Sequence, residues 1–161
     1  MSTLSQWGAN IFAGLGGTPR SYKQASTLVS ALQERMGTDP GLAGLTLRVV
    51  GHSKGAGEAT FAALGAKTPV PVTAFCPAHL SEGLIKQLPA QNLARAKELV
   101  ASYSPYGDPV AAMRGKLPRM PGVGAGYHFD GIPKQGAMHR HDRFHEHVAH
   151  WCAGAHAATT R

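Results

Sequence analysis

The sequence predicts an α/β fold with a mostly parallel sheet flanked by helices. Two observations predict it. Short β-type runs alternate with helical stretches along the chain, which is the pattern of βα units. Gly51-His52-Ser53-Lys54-Gly55 joins one such run directly to an Ala-rich stretch, a strand-to-helix turn. With 161 residues, 43% hydrophobic and 16% charged, the chain suits a single domain over 1–161 with a real core, and it is unlike a disordered chain.

Residues 1–20 are mixed and contain Gly14, Gly16 and Gly17. Thr18-Pro19 reads as a helix start, with Thr at the N-cap and Pro at the first helical position. Tyr22, Ala25, Leu28, Val29, Leu32 and Met36 recur at helical spacing, so 19–36 is predicted as an amphipathic helix that Gly37 ends. A turn over 38–44 leads to a β-type run at 45–50, and residues 56–66, with Phe61 and Leu64, read as a helix. A second strand is expected at 69–76, a helical stretch broken near Pro89 at 81–97, and a third strand at 99–103. The third strand runs into Ser104-Pro105-Tyr106-Gly107-Asp108-Pro109. A Pro/Gly loop covers 114–126; with Met113, Leu117, Met120 and Val123 it reads as a surface loop, and a flap near the site is the alternative. Tyr127-His128-Phe129 is a last short strand, and 138–156 reads as a helix with Phe144, Val148 and Trp151 on one face.

The net charge is +7, and +5 of it lies between residues 86 and 143. That balance suits a soluble domain with a basic surface, or peripheral contact with an anionic membrane. Nucleic-acid binding is disfavoured, because no helix gathers Lys and Arg on one face and aromatics are only 7%. Cys76 and Cys152 make no disulfide framework and read as buried thiols. No apolar run approaches the length of a membrane span, and Met1 to Gly8 lacks the regions of a signal peptide. The expected location is cytoplasmic, or outside the cell by a signal-independent route.

Gly51-His52-Ser53-Lys54-Gly55 fits G-x-S-x-G, with the strand before it and the helix after it that this turn requires. The tight turn needs small neighbours, and the helix start aims free N–H groups and the positive dipole end at the serine. Ser53 is the candidate nucleophile. The Lys54 N–H is a candidate oxyanion donor, and His52 and Lys54 are candidate substrate contacts. Serine needs a base, and the base an orienting acid, in the chain order Ser, acid, His. Of four aspartates, Asp39 precedes the serine, Asp142 crowds its own base, Asp130 is possible, and Asp108 fits best just past a strand. His141 is favoured as the base, with His139 as the alternative and His128 behind both. His139, His141, His145, His147 and His150 also cluster, but H-E-x-x-H is absent, so no metal and no cofactor are expected.

Three stretches carry a family resemblance. Trp7-Gly8-Ala9-Asn10 through Gly16 and on to Tyr22-Lys23-Gln24-Ala25 resembles the lead-in to the nucleophile strand of class 3 (fungal-type) lipase-like α/β-hydrolases, including bacterial lipase-like effector and phospholipase domains. Val50 to Ala59 is similar to their nucleophile elbow, and Thr73-Ala74-Phe75-Cys76-Pro77-Ala78 to the strand that follows. The resemblance covers about residues 7–80 and implies an α/β-hydrolase-like fold lacking the usual N-terminal strands, the chain matching the C-terminal part of a larger protein. It implies Ser53 as nucleophile and Asp108 as acid, with the histidine between Met138 and Val148. That family takes its second oxyanion N–H from an upstream loop; here Gly14, Gly16 and Gly17 are the candidates to replace it. The expected function is serine hydrolysis of lipid or phospholipid esters through a Ser53–Asp108–His141 triad and an acyl-enzyme. The alternative is a non-catalytic interaction module whose sheet a partner chain or a dimer completes.

Overall fold

The computed structural model describes residues 18–110, 122–129, 145–146 and 148–149. Helix α1 runs Arg20–Thr38, strand β1 Val49–His52, helix α2 Lys54–Gly65 and strand β2 Val72–Phe75. Three short helices follow: α3 Glu82–Ile85, α4 Ala90–Ala94 and α5 Ala96–Leu99. Strands β3 Val100–Pro105 and β4 Ala125–Phe129 complete a four-stranded sheet, all parallel, in the order β1-β2-β3-β4. The fold is therefore α/β with helices packed on a parallel sheet.

The boundaries shift for local reasons. Pro19 caps α1 with ψ 149°, so it stands outside the helix instead of opening it; its carbonyl takes the Tyr22 and Lys23 amides. The Thr18 hydroxyl bonds the Gln87 side chain and caps nothing. Helix α1 continues through Gly37 because the Thr38 hydroxyl bonds back to the Glu34 carbonyl, 3.1 Å away. Its buried face is narrower than its pattern: Tyr22 and Val29 are buried, whereas Leu28 is 60% exposed. Strand β1 begins only at Val49, where Val72 pairs with it. The stretch 81–97 breaks at Pro89 as expected and again at Arg95, and β3 runs on to Pro105.

Helix α2 is the centre of the core. From Ala56 to Leu64 every residue but Glu58 is buried. Alanines at 56, 59, 62 and 63 let sheet and helix approach closely, and Tyr22 of α1 meets Phe61 edge to face at 5.6 Å. The far end of α2 is buried, so its last carbonyls need donors. The Asn92 amide supplies them, to Leu64 at 2.7 Å and Ala66 at 3.0 Å.

Side chains alternate across the strands, so Gly51, Ala74 and Ser102 share the face under α2. His52, Phe75, Tyr103 and Tyr127 form a row on the opposite face. Their rings make a ladder, Phe75 to Tyr103 at 6.0 Å and Tyr103 stacked on Tyr127 at 5.2 Å.

Candidate active site

Parallel strands deliver their C-terminal ends to one edge of the sheet, where ligand sites of open α/β sheets lie. Ser53 directly follows β1 and is the N-cap of α2. Its backbone has φ 55° and ψ −122°, far from the conformations a serine prefers. Such strain costs about 1–3 kcal/mol and persists only where the surroundings over-determine it. Here they do. The Ser53 N–H donates to the Phe75 carbonyl at 2.9 Å, and the Ser53 carbonyl accepts from Ala56 at 3.1 Å, Gly57 at 3.3 Å and Ala78 at 2.9 Å.

The glycines divide the work differently from the motif. A Cβ on Gly51 would lie 2.4 Å from the Gly55 carbonyl oxygen, and one on Gly57 would lie 2.6 Å from the Ala78 carbonyl oxygen. Gly55 meets nothing within 4 Å. The first turn of α2 presses on position 51 and the loop after β2 on position 57, so Gly57, outside the five-residue pattern, matters more to the turn than Gly55.

Lys54 opens α2, so its N–H has no carbonyl partner within the helix. Its ammonium is engaged elsewhere, 2.8 Å from Glu58 Oε1 and 3.0 Å from Ser21 Oγ, which fastens α1 to the start of α2. His52 lies on the face opposite α2, and its Nε2 is buried.

Asp108 sits three residues beyond β3, two strands over from Ser53, and is 1% exposed. Gly107, at φ 86°, turns the chain. Asp108 donates its N–H to Pro105 at 3.2 Å, and its Oδ1 accepts the Val110 N–H at 2.9 Å. The carboxylate is thus held by a tight local turn, in a dry setting where charge interactions are strong.

His128 is exposed on β4 and stacks on Tyr106 at 5.6 Å. His139, His141, His147, His150, Asp130 and Asp142 lie outside the described residues, as do Gly14, Gly16, Gly17 and Cys152. Most of loop 114–126 lies outside them too, though Val123 packs against the core. Among the described residues no His, Cys, Asp or Glu cluster could hold a metal ion, and no helix is long and apolar enough to cross a membrane.

One residue at this end was read in the sequence only as a buried thiol, as it is, and not as part of the site. Cys76 directly follows β2, is fully buried, and has φ 46°; it and Ser53 are the non-glycine residues at positive φ among those described. Its side chain reaches those of Asp108 and Ser104. Nothing in the sequence pattern marks its contact with Asp108, because the register that sets Cys76 beside β3 is a tertiary fact. No family model matches this chain, and no curated protein matches it.

Proposed function

We propose that this protein is a serine ester hydrolase, acting on lipid or phospholipid esters through Ser53, Asp108 and a histidine beyond β4. The observation that carries the reading is the backbone of Ser53, held at φ 55° and ψ −122° between β1 and the N-terminus of α2. An idle serine has no use for that strain. A nucleophile gains the first amides of α2 beside it, and Ser53 is held there nearly buried, at 6% exposure. Asp108, buried past β3, supports the reading further, since a triad acid needs a dry, fixed carboxylate. Strand β4 runs parallel to β1, so the chain leaves Phe129 at the same end of the sheet. A base drawn from the following segment, His141 or His139, completes the order Ser, Asp, His and would take the Ser53 proton as the hydroxyl attacks the ester carbonyl. The resulting oxyanion would meet the Lys54 N–H, and the acyl-enzyme would then be hydrolysed by water.

The fold named by the resemblance, an α/β-hydrolase-like sheet without its first strands, belongs to the same proposal. The lipid nature of the ester rests on the resemblance and on the basic second half of the chain. A second reading, an interaction module that another strand completes, draws on β1 lying at the edge of the described sheet with Val50 63% exposed.

A fluorophosphonate probe tests the proposal. It is expected to label Ser53, and Ser53→Ala is expected to abolish labelling. A folded protein that takes no label refutes the hydrolase and leaves the interaction module.

A further inference from the structure

We propose that Cys76 is a positioning residue for Asp108: its thiol donates to the carboxylate from the end of the neighbouring strand and holds it in line for the base. This rests on Asp108 serving as the acid of the triad.

Three observations support it. First, the backbone brings the two groups together. Strand β2 pairs with β3 up to Phe75 and Tyr103, and the Cys76 N–H continues the ladder to the Tyr103 carbonyl at 2.9 Å. Cys76 and Asp108 therefore leave adjacent strands at the same end of the sheet, and their side chains are within hydrogen-bonding reach.

Second, the surroundings are dry. Cys76 is 0% exposed, Asp108 1% and Ser104 3%. A buried carboxylate needs donors on its lone pairs. The Val110 N–H serves Oδ1. The thiol adds a donor that comes from outside the local turn, which couples the acid to the sheet. The Ser104 hydroxyl in turn reaches the sulfur, so the order Ser104, Cys76, Asp108 is a chain of donors that ends on the carboxylate.

Third, the backbone at position 76 favours glycine. At φ 46° a glycine would sit without strain, yet a side chain is present there. The other strained non-glycine position among the described residues is the candidate nucleophile itself. Strain of this kind gathers where a side chain must be aimed.

The thiol keeps its proton. Burial pushes Cys76 up, and the Asp108 carboxylate beside it adds to the rise. The sulfur is a donor across the working pH range and no nucleophile.

Two measurements decide. In a Cys152→Ala background Cys76 is the sole thiol, and its infrared S–H stretching band reports on its acceptor. The band is expected at the lowered frequency of a thiol bonded to a carboxylate, and Asp108→Asn is expected to raise it. A band at the frequency of a free thiol overturns the proposal, whatever the enzyme does. In steady-state hydrolysis, Cys76→Ala is expected to lower kcat about ten-fold with KM unchanged, the scale of one hydrogen bond to a charged group. It also leaves the carboxylate more basic, so the acid limb of the kcat profile moves to higher pH. Cys76→Ser keeps a donor and is expected to restore most of both. A Cys76→Ala enzyme with wild-type kcat and profile, or a serine variant no better than alanine, overturns the positioning role. A shifted band in a protein that no fluorophosphonate labels would instead place the failure in the hydrolase reading.

Discussion

The carbonyl oxygen of Ser53 accepts the N–H of Ala78 at 2.9 Å. That single bond ties the strained turn after β1 to the loop after β2, one strand away. Gly57 makes it possible, because a Cβ there would push into the carbonyl of the same Ala78, 2.6 Å away.

Glycine substitutions at the turn are therefore expected to separate. Gly51→Ala and Gly57→Ala each force backbone apart and are expected to destabilise by about 1–3 kcal/mol. Gly55→Ala meets no neighbour within 4 Å and lies in the first turn of α2, so it is expected to be neutral or to stabilise by up to about 1 kcal/mol. Urea midpoints measure all three. Equal damage at 51 and 55 would contradict the assignment.

Asn92 bridges α4 to the end of α2. Asn92→Ala leaves the Leu64 and Ala66 carbonyls without this donor and is expected to cost about 2 kcal/mol. Asn92→Asp is expected to cost more, since it sets oxygen against oxygen. Denaturant unfolding of the two variants gives the order, and an aspartate milder than alanine would refute it.

Alkaline stability follows from Tyr22. Burial, then the nearby Glu58 charge, pushes its phenol from 10.0 up to about 12. Between those values the folded protein keeps a proton that the unfolded chain has released, so stability falls as pH rises through that window. Cys76, raised by burial and by Asp108, contributes in the same direction from its ordinary value of 9.0 upward. Below pH 9 both contributions are complete. Tyr22→Phe is expected to flatten the fall between pH 10 and 12, measured as Tm against pH; an unchanged slope would show that Tyr22 does not control it.

Asp108→Asn tests the triad from its acid. Turnover is expected to drop by several orders of magnitude while the fold persists, because the amide favours the wrong imidazole tautomer. Near-normal turnover would clear Asp108 of the role. Comparing His141→Ala with His139→Ala identifies the base, and His141→Ala is expected to be the more damaging.

Much of the fold was legible along the chain. The apolar spacing of Tyr22, Val29 and Met36 marked α1, and the β-type runs before Gly51 and around Val72 and Val100 marked three strands. Those signals are local, set by side-chain period and backbone preference. Strand ends were not legible. Thr46 is β-branched like Val49, but a strand exists only where a neighbour pairs with it, and Val49 is where Val72 does. The outer stripe of α1 was over-read for the same reason: Leu28 matches the period, yet no element among the described residues covers it.

By itself the sequence determined the order of strands and helices and the turn that carries Ser53, because the turn is contiguous and its glycines act on near neighbours. The parallel sheet was expected; only the tertiary structure decided that the four described strands lie in the order β1-β2-β3-β4. It also decided which glycine yields to the Ala78 carbonyl and that Cys76 meets Asp108. Those relations join residues 21 to 32 positions apart. Sheet register sets them, and no local pattern of side chains encodes a register.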